Sequence, residues 1–283
     1  MSEPGEIRVA TAAGELAALE WGNAAAPPLL ALHGWLDNAA SFMRLAPLLA
    51  THHRVIALDL PGHGHSAHLP DGMPRYHVAD QVDHVLGFAT ALGWERFDLL
   101  GHSLGAGIAT LTAAAAPARI GRLMLIEGLG TLTDDGAQTL ARWRDAYTPR
   151  TAPRRPPRVF ASLDQAVTAR VAAGGLSAEE ARPIVVRNLR AADGGFAWRS
   201  DPRLRRTTPL RIEETQLRHL LAGIEAPTTL LLAEPATPYL PPAQMQARAA
   251  CVKRIRVAHI AGPHHLHIHC PRDVATQLAT LSG

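Results

Sequence analysis

At 283 residues, the chain lies at the upper end of what one hydrophobic core can hold, so one domain carrying an inserted subdomain is expected rather than two independent domains. Hydrophobic residues make up 47% against 19% charged, which excludes a disordered, solvating chain even though aromatics reach only 5%. The pI near 9.3 reports arginine usage, since the formal charge is only +3 and Lys253 is the one lysine among 28 basic residues; with no aromatic-interleaved basic stripe, nucleic acid is not the expected partner.

The first residues, 1–6, are polar and acidic and do not read as a signal peptide. Strands are expected over 6–10, 15–21, 28–32, 54–58, 97–100 and 122–126, with helices over 78–92 and 104–116 between them. Short apolar runs alternating with helix-length patterns specify an α/β fold with a mostly parallel central sheet flanked by helices. The longest apolar runs, 27–32 and 111–117, fall well short of the ~20 residues of a membrane-spanning helix. A soluble, cytoplasmic protein without membrane insertion is the expectation.

His33-Gly34-Trp35 stands just beyond the strand 28–32, and Gly101-His102-Ser103-Leu104-Gly105 stands between the strand 97–100 and an Ala-rich helix. The second motif has the strand-turn-helix context of a Gly-x-Ser-x-Gly nucleophile elbow, in which glycines flank the serine because the turn is too tight for side chains. Ser103 is the candidate nucleophile. A serine that merely caps the helix is the alternative. Attack by a hydroxyl on a carbonyl needs preorganised N–H donors for the developing oxyanion. The backbone N–H groups of Trp35 and Leu104 are the candidates, and His33 and His102 beside them are candidate substrate-pocket residues.

From about residue 131 to 223 the strand-helix rhythm breaks. More than half of the arginines fall here, with a Pro/Arg cluster over 148–158. The segment reads as a helical cap inserted into a core made of residues 1–130 and 224–283, forming one wall of the pocket. Trp143 and Trp198 are its candidate pocket residues, with Tyr147, Phe160 and Phe196 as further aromatics. The interspersed acidic residues make the arginines a solvated face.

The rhythm resumes with a strand over 228–232, a helix over 243–250, a strand over 254–260 and a helix over 272–281. After the strand 228–232 one expects an orienting aspartate, but the chain reads Ala233-Glu234-Pro235-Ala236-Thr237-Pro238. Glu127, at the end of the strand 122–126 and one helix plus one strand after Ser103, is therefore the candidate acid, with Glu234 as the second. The base is sought in Gly262-Pro263-His264-His265-Leu266-His267-Ile268-His269. His264 is the candidate, with His265 and His267 as fallbacks. Histidines 265, 267 and 269 alternate and raise a metal site as a rival, but no carboxylate or thiolate cluster completes its shell. Two cysteines, Cys251 and Cys270, cannot build a disulfide framework.

With these motifs in the order Ser, acid, His, the chain resembles the α/β-hydrolase superfamily. Asp59-Leu60-Pro61-Gly62-His63-Gly64-His65-Ser66 looks like that superfamily's turn after the fourth strand. A closer likeness, to the serine-hydrolase-like branch, runs through His33-Gly34-Trp35-Leu36-Asp37-Asn38, the stretch from Phe196 to Leu204, and Gly262-Pro263-His264-His265-Leu266-His267. The resemblance implies a histidine seven residues before a helix-starting proline, here His264 before Pro271. It also admits an acid after the sixth strand, where Glu127 falls. A serine rather than an aspartate nucleophile argues against dehalogenation and epoxide opening.

The expected activity is hydrolysis of a carboxylic ester on a small acyl substrate through an acyl-enzyme, with no metal or organic cofactor. Thioesters and lactones are variants of the same chemistry. The rival is a ligand-binding protein that keeps the fold without turnover.

Overall fold

The computed structural model describes residues 3–12, 14–148 and 158–279. Most of the Pro/Arg cluster and the end of the helix expected over 272–281 lie outside them. The predicted strands form at or within two residues of their expected bounds: β1 (Gly5–Thr11), β2 (Gly14–Trp21), β3 (Pro28–Leu32), β4 (Arg54–Leu58), β5 (Phe97–His102) and β6 (Ile120–Ile126). Three short strands follow in the inserted segment, β7 (Val159–Phe160), β8 (Leu189–Ala192) and β9 (Gly195–Trp198), and then β10 (Thr228–Glu234) and β11 (Ile255–Ala261).

Eight of these make one sheet in the order β1-β2-β4-β3-β5-β6-β10-β11. Only the β1/β2 and β2/β4 pairs are antiparallel. β3, β4 and β5 are almost wholly buried, which accounts for their unbroken apolar runs: strands covered on both faces do not alternate. One face carries the helices Asp80–Ala91, Leu104–Ala115 and Pro242–Ala249 around Phe88, Ile108 and Met245. The other carries Phe42, Leu45, Leu266, Val274 and Leu278.

The strand order decides where a site can form. From β3 the chain steps outward to β4, then crosses back to lay β5 on the other side of β3. The sheet therefore reverses its winding between β3 and β5, and the carboxyl ends of those two strands border the crevice where open α/β sheets bind ligands. Leu32 pairs with Gly101 across that point, so the His33-Gly34-Trp35 turn and the Ser103 turn leave the sheet side by side.

The inserted segment is not purely helical. Besides the helices Thr139–Tyr147, Leu163–Ala172, Ala178–Arg187 and Glu214–Ala222, it holds an antiparallel sheet in the order β7-β9-β8, whose short strands gave too weak an alternation to read. Leu217 and Leu221 of its last helix join the main core, whereas Phe160, Val167, Ile184 and Val185 make a separate cluster. Polar contacts fasten the segment to the carboxyl edge and to β1. Arg187 pairs with Asp59 at 2.9 Å and Glu6 at 2.7 Å, Asn38 Nδ2 donates to the Ile184 carbonyl at 2.8 Å, and the Asp201 N–H donates to the Gly62 carbonyl at 2.8 Å. Asp59 tolerates full burial because it also accepts from the Ala39 and His65 N–H groups at 2.8 Å each. No described helix is long and apolar enough to cross a membrane.

Candidate active site

Ser103 sits at φ 52°, ψ −114°, a conformation that costs a non-glycine residue ~1–3 kcal/mol and persists only where its surroundings impose it. They do so here through two glycines. A Cβ on Gly101 would lie 2.4 Å from the Gly105 carbonyl oxygen, and one on Gly105 would lie 2.1 Å from that of Leu32. Any side chain at either place would push the helix Leu104–Ala115 off the sheet. The Ser103 N–H still donates to the Ile126 carbonyl at 3.0 Å, extending the β5/β6 ladder, but its hydroxyl makes no cap hydrogen bond. The helix-cap alternative therefore does not describe this serine.

Because His102 pairs with Ile126, Ser103 and Glu127 are the next residues out on adjacent strands. Glu127 also has positive φ, 55°, and is 2% exposed. His264 Nδ1 donates to its Oε2 at 3.0 Å, the Thr237 hydroxyl donates to the same oxygen, and the Ala233 N–H donates to Oε1 at 2.6 Å. Burial pushes the Glu127 carboxyl up, but these hydrogen bonds and the neighbouring imidazole outweigh it and hold it below the usual carboxylate range. With Nδ1–H committed to Glu127, the lone pair of His264 lies on Nε2, where a base needs it. The Ser103 hydroxyl makes no hydrogen bond to that nitrogen among the described residues, and such contacts are commonly loose until substrate is bound. Glu234 is exposed and takes part only through its carbonyl, which accepts the Gly262 N–H at 3.1 Å.

Leu104 is the first residue of its helix, so its N–H has no intrahelical acceptor. Neither it nor the Trp35 N–H donates to a backbone carbonyl among the described residues. The Trp35 indole is 54% exposed, with Nε1 donating to the Leu204 carbonyl at 3.1 Å. Two free N–H groups on turns that flank the serine can hold a developing oxyanion.

Three of the four candidate pocket residues serve the scaffold instead. His33 is fully buried, with Nδ1 donating to the Gly34 carbonyl at 2.7 Å and Nε2 accepting the Leu60 N–H at 3.1 Å; it braces the turn from behind. His102 is 1% exposed, packs against the rings of His264 and His267, and donates Nε2–H to the His264 carbonyl at 3.1 Å. Trp198 packs edge-on against Phe160 at 4.9 Å inside the inserted segment's own cluster. Sequence placed these residues near the site but could not say which way their side chains turn. Trp143 is 41% exposed and stacks on Tyr147 at 5.4 Å.

The alternating histidines diverge to separate partners: His265 to Asp37, His269 to the Gly175 carbonyl and Glu180, and His267 into a buried position against Phe42. Among the described residues no three ligand-type side chains are grouped to hold a metal ion.

Burial pushes His33 down to about 4, and burial together with the neighbouring His33 pushes His63 down to about 3. Between pH 6.5 and 4 the unfolded chain binds these protons and the folded chain does not, so stability must fall as pH falls through that window. Thermal unfolding at pH 7 and pH 4.5 is expected to show a lower midpoint at pH 4.5. Its full extent from His33 alone is about 3 kcal/mol once pH 4 is reached.

Two residues escaped the sequence reading. Thr237 lies in the loop that lacks the expected aspartate and turns a hydroxyl toward Glu127 instead. Tyr239, half-exposed, sets its ring edge-on to His264 at 5.3 Å. A serine, threonine or tyrosine near the expected acid position was the available signal. A cleft of about 520 Å³ is lined by Glu127 together with Leu232, Thr237, Leu240, Pro242 and His259 but by neither Ser103 nor His264, so it is not where an acyl group meets the serine.

The profile of the alpha/beta hydrolase fold family matches residues 27–234. A serine hydrolase-like protein of Danio rerio is 32% identical over 285 residues, covering 96% of this chain and 86% of that protein. The crystal structure of a hypothetical protein from Pseudomonas aeruginosa PAO1 superposes with a TM-score of 0.90 at 40% identity, over 99% of each chain. A thioesterase domain from the curacin biosynthetic pathway shares the fold, with a TM-score of 0.83 at 24% identity over 99% of this chain and 100% of that one. The chain therefore belongs to the α/β-hydrolase superfamily, in its serine-hydrolase-like branch.

Proposed function

We propose that this protein hydrolyses a carboxylic ester, or a thioester or lactone by the same chemistry, through an acyl-enzyme on Ser103. The observation that carries the reading is the buried Glu127 carboxylate held 3.0 Å from His264 Nδ1, beside a serine whose hydroxyl is not used to cap its helix. In this mechanism His264 Nε2 takes the proton of the Ser103 hydroxyl as Oγ attacks the substrate carbonyl. Glu127 stabilises the imidazolium that results. The tetrahedral oxyanion sits on the N–H groups of Trp35 and Leu104, one such donor being worth ~3 kcal/mol in the transition state. The imidazolium then protonates the leaving group. A water deprotonated by the same His264 attacks the acyl-enzyme and frees the acid. The inserted segment, fastened over the carboxyl edge, supplies the wall that selects the acyl substrate.

The non-catalytic reading rested on the missing aspartate after β10. Ala233 near the end of β10 and Thr237 in that loop each send a donor to Glu127, an arrangement that supports an anion maintained for use. The experiment is labelling by a fluorophosphonate combined with turnover of a series of p-nitrophenyl esters. Labelling confined to Ser103, with turnover of at least one chain length, is the expected result. Folded protein that neither labels nor turns over any ester would overturn the reading.

A further inference from the structure

Asp37 is 3% exposed, and nothing in the mechanism above uses it. Its carboxylate has two partners from distant parts of the chain: Arg170 Nη2 donates to Oδ1 at 3.0 Å and His265 Nε2 donates to Oδ2 at 3.2 Å. Arg170 lies on the helix Leu163–Ala172 of the inserted segment and also donates to the Gly174 carbonyl at 3.1 Å. His265 follows the proposed base directly.

Asp37 closes the turn that presents Trp35, its N–H donating to the Gly34 carbonyl at 3.1 Å, with Leu36 at φ 62°. The turn is packed from behind. A Cβ on Gly34 would lie 3.0 Å from His102 Nδ1 and 3.4 Å from Asp37 Oδ2. Since His102 holds the His264 carbonyl, the Gly34-to-Asp37 turn, the nucleophile strand and the His264-His265 loop form a closed circuit. Asp37 is the one charged member that reaches both the turn and the loop.

We infer that Asp37 is a positioning residue for the proposed hydrolysis, clamping the turn that offers the Trp35 N–H to the loop that offers His264 and fastening both to the inserted segment through Arg170. The inference rests on the function proposed above. The oxyanion donor and the base must converge on one tetrahedral centre, and a displacement of ~1 Å there can cost ~10²-fold in rate. A charged carboxylate suits this task because hydrogen bonds to an ionised group are about twice as strong as neutral ones.

The test begins with fluorophosphonate labelling of wild-type Ser103 and then compares Asp37→Asn in the full chain. The expected result is a kcat lowered by roughly 10- to 100-fold with KM nearly unchanged. A residue that only supported the fold would move the unfolding midpoint and leave the kcat of the folded protein unchanged. Should Asp37→Asn fold poorly with Arg170 left uncompensated, Asp37→Leu combined with Arg170→Met replaces the buried ion pair by apolar groups, an exchange that proteins often tolerate. This double variant should fold and keep the kcat loss. Labelled wild type together with a folded Asp37 variant whose kcat matches it overturns the clamp alone. A wild type that does not label overturns the hydrolase reading and the clamp with it.

Discussion

Ser103→Ala is expected to lower turnover of a cleaved ester about 10⁶-fold and to abolish fluorophosphonate labelling, with the thermal midpoint almost unmoved. The size of the loss follows from removing the atom that forms the acyl-enzyme. What remains is attack by water assisted by the oxyanion donors and substrate binding, which typically retain only 10³- to 10⁴-fold over the uncatalysed reaction. Stability should hold because the Ser103 hydroxyl makes no cap bond, and alanine inherits the same φ of 52° with the same strain. Ser103→Gly separates the two properties. It removes the nucleophile equally well but relaxes a backbone that disfavours side chains, so it should be as inactive as Ser103→Ala and at least as stable. Kinetics on a responsive ester and differential scanning calorimetry on both variants check this. A Ser103→Ala protein within tenfold of wild-type turnover would remove the serine from the chemistry.

The next largest effect belongs to Glu127→Gln, with an expected loss of about 10⁴-fold in kcat against a change within about twofold for the exposed Glu234→Gln. The hydrogen bonds explain the asymmetry. Three donors converge on Glu127, the Ala233 N–H on Oε1 and both Thr237 and His264 on Oε2. A glutamine has one acceptor oxygen and must turn its NH₂ toward one side. Facing Ala233 it meets another N–H. Facing His264 it asks Nδ1 to accept, which places the imidazole proton on Nε2 and leaves no lone pair for the Ser103 proton. The charge that would stabilise the imidazolium is lost in either case. Kinetics paired with unfolding curves separate this from damage to the fold. Near-normal turnover in Glu127→Gln alongside collapse in Glu234→Gln would move the acid to the later strand.

Much of the frame was legible along the chain because its signals are local. Apolar runs of strand length at Pro28–Leu32 and Arg54–Leu58 need no distant information, and neither does a serine between two glycines at a strand-to-helix junction. Glu127 could be located by counting one helix and one strand from Ser103, since parallel strands joined by a helix end at the same edge. The missing aspartate was itself a sequence observation, and it directed attention to that position.

What the tertiary structure decided concerns partners far apart in sequence and the direction in which side chains turn. The order β4-β3-β5 sets the Trp35 turn beside Ser103, a neighbour relation that no pattern along the chain records. Thr237 meets Glu127 across 110 residues, Arg170 meets Asp37 across 133, and His265 meets Asp37 across 228. His33 and His102 carry the residue type of a functional histidine. Burial and hydrogen bonding turn both inward, because an imidazole with both nitrogens satisfied, or packed against other rings, is a stable core element. Apolar runs alternating with helix-length patterns determined that this chain folds around a mostly parallel sheet, and local glycines determined where its serine stands. Which carboxylate meets which histidine was settled only by packing, since a buried charge persists where the fold brings donors to it.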